Sequence, residues 1–236
     1  MITVICPSRG RPANVARLIE SFRLTRVHRS TRLIIAVDSS DPDLVGYSNA
    51  VSGAGVFLLN VDSKRRNMVQ TLNQAASYAV EDVVTILGFV GDDHVFETGG
   101  WDAKLNDALQ PMMIAYGDDG HQHEALPTAV FMDANIVRAL GWMAPPGLHH
   151  LYVDNAWKVL GEVMQSLRYF PEIKITHLHP HAGRAEWDTT YEDANSRYTN
   201  EHDRAEYHRW VGSSDGLKDA IRRLKQDQTM VDGSQP

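Results

Sequence analysis

Short apolar runs alternate with one-sided helical patterns over the first hundred residues. Ile2–Cys6 is a compact run rich in β-branched residues and predicts a buried strand. It is followed by the turn Pro7-Ser8-Arg9-Gly10-Arg11-Pro12. Val15, Leu18, Ile19 and Phe22 then fall at i, i+3, i+4 and i+7, one face of a helix with Pro12 near its first turn. Leu33–Val37 predicts a second strand ending in Asp38-Ser39-Ser40-Asp41-Pro42, and Val56–Leu59 a third. Val69, Leu72, Ala76 and Ala79 carry another helical face, and Val83–Leu87 predicts a fourth strand running into Gly91-Asp92-Asp93-His94. This alternation predicts a parallel sheet covered by helices.

The second half is less regular. Trp101, Leu105, Ala108 and Leu109 suggest a helix, and Met113–Tyr116 and Thr128–Met132 suggest strands. Gly141 to His150, with Pro145-Pro146-Gly147, predicts a mobile loop. Tyr152–Leu160 has a helical pattern, while Leu167–Phe170 and Ile173–Leu178 resemble two short strands. From about Gln226 no apolar period remains, which predicts a disordered tail over 226–236. The expected organisation is one α/β domain, with residues 1–100 and 101–225 as its two halves.

Composition narrows the class. A chain of 236 residues with 43% hydrophobic and 22% charged residues suits one sizeable core. No apolar stretch approaches the roughly 18–20 residues of a membrane span, and strand-like residues begin at Ile2 where a signal peptide would lie. The single cysteine, Cys6, sits inside an apolar strand, which predicts buried filler and suits a reducing cytoplasm. A net charge of −7 argues against broad attraction to nucleic acid. The densest basic patches are Arg9 with Arg11, Lys64-Arg65-Arg66, and Arg222-Arg223-Lys225, the last spaced like a solvated helix face.

Candidate chemistry lies at the strand ends. No dinucleotide fingerprint or Walker A sequence occurs, so a bound phosphate must be held by metal and basic side chains. Three polar turns, 7–11, 38–41 and 91–94, follow successive strands, and parallel pairing brings them to one sheet edge, where ligands bind in open α/β sheets. There Asp38 is expected to meet base or ribose hydroxyls, Arg9 or Arg66 phosphate, and Asp93 a metal ion. Adjacent anions such as Asp92 and Asp93 repel unless a cation lies beside them. Each turn alone is ordinary; their convergence is the signal. Thr176-His177-Leu178-His179-Pro180-His181 places imidazoles at alternating positions, all to one side if extended. Zinc at His177, His179 and His181, or at His121 and His123, is an alternative that no cysteine supports. Trp101 heads an apolar helical face and reads as core, whereas Trp142 beside the loop reads as an acceptor-site candidate.

The element order resembles the GT-A fold of nucleotide-sugar-dependent glycosyltransferases, especially glycosyltransferase family 2 and its relatives. Cys6-Pro7-Ser8-Arg9-Gly10-Arg11-Pro12 is similar to their first turn, Val37-Asp38-Ser39-Ser40-Asp41 to their second, and Arg65-Arg66-Asn67 stands where an Ala-Arg-Asn motif opens a helix. Asp92-Asp93-His94 resembles their Asp-x-Asp signature. It departs from that pattern as Asp-x-His, a variant of the mucin-type polypeptide N-acetylgalactosaminyltransferases. By that likeness Asp92 and His94 flank the metal; by a simpler alignment Asp93 is the ligand and Asp92 the ribose contact. A histidine ligand favours Mn²⁺ over Mg²⁺.

The resemblance implies a GT-A-like (Rossmann-like) domain with a mostly parallel central sheet flanked by helices. Donor contacts would come from Pro7, Ser8, Arg9, Arg11, Asp38, Arg66 and Asp92, and metal ligands from Asp93, His94 and one of His177 or His179, with His177 preferred because it lies within the apolar strand pattern. Gly141-Trp142, the loop and Val153-Asp154-Asn155 look like the acceptor side of inverting enzymes. There the carboxylate corresponding to Asp154 removes the acceptor's proton; the bland reading of Asp154 is an acid favoured by a helix N-terminus. The implied activity is metal-dependent transfer of a sugar from a nucleoside diphosphate donor, UDP-sugar first, to a hydroxyl, with inversion favoured. Acceptors in view are free sugars, glycans, lipids, proteins or hydroxymethylated bases of phage DNA. A compact transferase of the kind found in bacteria and phages fits this size. A sugar nucleotidyltransferase and a noncatalytic nucleotide- or carbohydrate-binding module are the alternatives.

Overall fold

A computed structural model describes residues 1–62, 67–80, 83–180, 183 and 187–232. The chain forms an eight-stranded sheet in the order β3-β2-β1-β4-β7-β6-β8-β5. Its strands are β1 (Ile2–Ser8), β2 (Arg32–Asp38), β3 (Val56–Val61), β4 (Ile86–Phe89), β5 (His94–Phe96), β6 (Ile114–Asp118), β7 (Val130–Asp133) and β8 (Leu167–His177). The first four pair in parallel, as the alternating pattern predicts. Beyond β4 the sheet is mixed: β7 is antiparallel to both β4 and β6, β6 and β8 are parallel, and β5 is antiparallel to β8.

Helices cover both faces, so β1 is buried on both. Ile2, Val4 and Cys6 face a cluster built by α1 (Pro12–Thr25), α2 (Leu44–Ala50) and α4 (Trp101–Ala108). Ile5 faces the opposite cluster, which draws on α3 (Met68–Ala79), α5 (Ala134–Leu140), α6 (Val153–Val163) and α9 (Leu217–Asp232). Two further helices are α7 (Thr189–Ala194) and α8 (Arg197–Gly212), and α8 packs through Tyr207, Trp210 and Val211 against that second cluster. Local chemistry sets several starts: Pro12 opens α1, and Asn67, Asp188 and Ser196 each accept a backbone N–H as N-caps. Cys6 is fully buried, as expected, and Trp101 is core. Among the described residues no helix is long and apolar enough to cross a membrane.

Several expectations are corrected. The fourth strand starts at Ile86, because Val83 is 82% exposed and its apolar run begins outside the sheet. The two short strands at 167–170 and 173–178 are one strand, β8, whose register against β6 shifts near Gly117 and carries Pro171 past the irregularity. The expected tail is helical as far as Asp232, since Leu217, Ala220 and Leu224 seat α9 and extending a formed helix is cheap. The Gly141–His150 loop is irregular but packed rather than mobile. Met143, Ala144 and Leu148 are buried, and Asn73 accepts from the N–H groups of Met143 and Ala144 at 2.8 and 2.9 Å while donating to the Ala144 carbonyl.

Candidate active site

Strand register builds the site. Ser8 pairs opposite Val37 and Ile5 opposite Phe89, so the turns after β1, β2 and β4 leave the sheet at one edge. They touch. The Ser8 hydroxyl donates to Asp92 at 2.6 Å, and the Arg11 guanidinium lies 3.3 Å from the same carboxylate. Gly10 N–H donates to Asp41 at 2.8 Å, and Arg9 reaches toward Asp38 at 3.9 Å. Tyr47 accepts from the Arg11 N–H at 2.9 Å and so donates to Ser8 at 2.7 Å, completing a relay into Asp92.

The second constellation is a cross-strand pair. His94 sits opposite His177 in the antiparallel β5–β8 ladder, which puts both imidazoles on one face. The rings stack at 4.3 Å between centroids. Asp93 meets both: Oδ1 lies 3.2 Å from His94 Nδ1, and Oδ2 lies 3.2 Å from His177 Nε2. Gly91 matters here, since a Cβ would sit 2.6 Å from the Asp93 carboxylate and 3.1 Å from His94. The structure thus gathers Asp93, not Asp92, with the two histidines.

Burial and charge polarise the two aspartates. Burial raises the Asp92 carboxyl, and the Asp93 charge adds to it. Burial would raise Asp93 too, but hydrogen bonding from His177 overrides it and holds that carboxyl well below the usual range. For His177, desolvation opposes charge, yet the contact with Asp93 wins and its pKa rises. Burial lowers that of His94.

These residues fit a divalent cation. The ligand atoms of Asp93, His94 and His177 lie within 4.8 Å of one another. Gly91 N–H donates to His94 Nδ1 at 3.0 Å, so that nitrogen faces the Asp93 oxygen lone pair to lone pair, a repulsion a cation relieves. His94 Nε2 and His177 Nδ1 are buried without a partner among the described residues. At the sheet edge, Asp38 Oδ1 accepts from Ser40 N and Oγ, whereas its Oδ2 is also buried and without a partner among the described residues.

One cavity of about 800 Å³ joins these groups to the second half of the chain. Pro7, Ser8, Arg9, Arg11, Asp38, Asp92, Asp93, His94, His177 and Asp154 all line it. Arg66 lies outside the described residues, as does His181. Asp154, in the first turn of α6, has its carboxyl raised by burial. His179, past the end of β8, also lines the wall, its ring 5.0 Å from His177. Trp142 does not line it: that ring packs on Trp210, 6.3 Å away, and the aromatic floor is instead Phe89 against Trp157 at 5.0 Å.

Two residues carry no sequence signal beyond the capping pattern Asp188-Thr189-Thr190-Tyr191. The Tyr191 hydroxyl donates to Asp93 at 2.5 Å and its ring covers the Arg11 guanidinium at 3.9 Å. Asp188 binds Arg11 through Nε at 2.8 Å and through Nη2. Hydrogen bonding to Asp188 overrides burial and raises the Arg11 pKa, so Arg11 is a fixed charge braced between two carboxylates. Arg9 is the more exposed and more weakly held cation.

No family model matches the sequence, and no curated protein matches it. Solved structures do. A mannosyltransferase from Pyrobaculum calidifontis, solved with GDP-Man and Mn²⁺, aligns over 100% of this chain and 76% of its own at TM-score 0.57 and 12% identity. Glucosyl-3-phosphoglycerate synthase from Mycobacterium tuberculosis, solved with Mn²⁺, UDP and phosphoglyceric acid, aligns over 85% and 76% at TM-score 0.55 and 11% identity. The catalytic domain of Drosophila β1,4-galactosyltransferase 7, solved with xylobiose, aligns over 83% and 79% at TM-score 0.52 and 10% identity. At such identities the likeness is one of architecture. The chain has the GT-A fold.

Proposed function

We propose that this protein is a divalent-metal-dependent glycosyltransferase that moves a sugar from a nucleoside diphosphate donor to an acceptor hydroxyl. The observation that carries the reading is the meeting, in one cavity, of the three strand-end turns with the Asp93–His94–His177 cluster. A bound divalent cation would neutralise charge on the leaving diphosphate. Two imidazoles in the ligand set favour Mn²⁺ over Mg²⁺.

The chain's own residues divide the remaining work. Asp38 Oδ2, buried and unpartnered, accepts from the base or ribose of the donor. Arg9 is the cation available to phosphate, whereas Arg11 is committed to fixing Asp92. Arg66 stays a candidate phosphate contact from the sequence pattern. Asp154 serves as general base, because burial raises its proton affinity toward that of an acceptor activator, which favours an inverting reaction. Among the described residues lining the cavity, Arg9 and Arg11 are the Arg or Lys side chains, and both sit at the donor edge. The acceptor end offers Phe89, Trp157, Tyr152 and Tyr198, which suits a sugar ring better than a DNA backbone. UDP-sugars are the first donors to test, and the single buried Cys6 suits a reducing cytoplasm.

A panel of nucleoside diphosphates and their sugars, scored by melting temperature with Mn²⁺, Mg²⁺ or chelator, tests this. A matching donor at 100 times its Kd should raise Tm by roughly 5–10 °C, with metal only. No shift from any nucleotide rejects the reading. Pyrophosphate release from a nucleoside triphosphate would favour a nucleotidyltransferase, and binding without turnover a noncatalytic module.

A further inference from the structure

We propose that Asp203, on α8, is a positioning residue that sets the aim of Asp154; this rests on the reading of Asp154 as the general base. The side chain of Asp203 is fully buried, yet it touches nothing in the donor half of the cavity. Its carboxylate collects three consecutive backbone N–H groups. His149 N–H donates to Oδ1 at 2.9 Å, and those of His150 and Leu151 donate to Oδ2 at 2.8 and 2.7 Å. The His202 ring adds a contact through Nδ1 at 2.9 Å and stacks on His149 at 3.9 Å. A loop wound around one anion in this way forms an anion-binding nest, here filled from within the chain.

What the nest controls is the entry to α6. His149, His150, Leu151, Tyr152, Val153 and Asp154 line the cavity in unbroken succession. Tyr152 takes a left-handed backbone, φ 63°, and caps α6 with no side-chain hydrogen bond. A non-glycine residue holds that conformation only where its surroundings impose it. Two features of α8 do so: the Asp203 nest just before Tyr152, and Tyr207, whose ring stacks on Tyr152 at 5.4 Å. Residues some fifty positions later thus orient the turn that delivers Asp154. Ligand atoms of His149, His202 and Asp203 also lie within 4.8 Å of one another. The Asp203 oxygens are already occupied by four donors, however, which leaves no free carboxylate lone pair aimed at an ion. The group is a brace.

A matched control exists. Asp102 is another fully buried carboxylate, accepting from Val27 N–H, His28 N–H and the Thr31 hydroxyl at 2.8–3.0 Å, and it does not line the cavity. Asp203→Asn and Asp102→Asn should both lower Tm. Only Asp203→Asn should reduce kcat for sugar transfer, by about 10–100-fold, with the KM for donor and the metal-dependent Tm shift unchanged. Combined with Asp154→Asn, it should add little further loss, because the two act through one group. Asp203→Glu should restore less than Asp does but more than Asn. Should Asp203→Asn fail to fold, Tyr207→Leu makes the same test through the Tyr152 stack. Equal kcat losses for the Asp102 and Asp203 variants, full additivity with Asp154→Asn, or unchanged kcat in Tyr207→Leu overturns the proposal. If Asp154→Asn itself keeps full kcat, the base assignment fails instead.

Discussion

The two walls of the cavity are built by different means. The wall proposed to hold the donor is strand-end chemistry: β1, β2 and β4 pair in fixed register, so Ser8, Asp38 and Asp92 are brought together by the backbone ladder itself. The wall proposed for the acceptor is loop and helix, and it holds its shape through side chains from distant parts of the chain. Asp203 gathers the 149–151 loop, Tyr207 meets Tyr152, and Asn73 ties down residues 143–144. A register-built wall changes only if the sheet slips, whereas a braced wall can be loosened one hydrogen bond at a time. Substitutions on the donor wall should therefore damage binding and catalysis together, and those behind the acceptor wall should damage turnover alone.

The largest expected effect comes from the acceptor wall. Asp154→Asn should lower kcat by about 10²–10⁴-fold while donor-induced stabilisation stays intact. Loss of donor binding in that variant would break the division of labour. Next, Asp93→Asn should cost on the order of 10²–10³-fold in activity and, unlike the first variant, abolish the metal-dependent part of the Tm shift. A retained metal-dependent shift would place the ion elsewhere. Arg9→Ala should weaken nucleoside diphosphate binding by about 10-fold, read by titration calorimetry, with kcat at saturating donor little changed. Arg11→Ala should differ by destabilising the fold as well, since it leaves Asp92 buried beside Asp93 without its cation.

The smallest effect is a pH dependence of stability. Burial opposes ionisation of Asp203, but the His202 contact and the three backbone N–H groups outweigh it and lower its pKa. A depressed folded-state value means the contribution is present above the ordinary carboxylate range, near pH 4, and is lost as pH falls through the folded value. The gap in unfolding free energy between wild type and Asp203→Asn should therefore be largest at neutral pH, at about 1–3 kcal/mol, and shrink below roughly pH 4. A gap that does not change with pH would mean the Asp203 charge plays no part in holding the loop.

The same contrast governs what was readable in the chain. β1 and β2 are apolar runs because their residues are buried between helix layers, and the turns after them carry their chemistry in adjacent residues. That is why the polar turns could be picked out from pattern, whereas the grouping of Asp93, His94 and His177 was drawn from the resemblance to the GT-A fold. β5 is three residues long and leaves no period, and α8 has Asp203 as its buried residue, so neither announces itself. Pro171 split β8 into two apparent strands. Tyr191 meets Asp93 across 98 positions and Asp203 meets His149 across 54, and no local pattern encodes either contact. Trp142 was misplaced for a related reason: a tryptophan beside a loop reads as exposed until Trp210 is known to cover it.

The central claim is that Asp93 and His177 hold a divalent ion facing the donor turns. Titration of Mn²⁺ into the protein with UDP present, following free Mn²⁺ by electron paramagnetic resonance, tests it most directly. The account predicts uptake of one ion per chain, lost in His177→Ala and kept in His121→Ala. Undiminished uptake by His177→Ala, or none by the wild type, contradicts it.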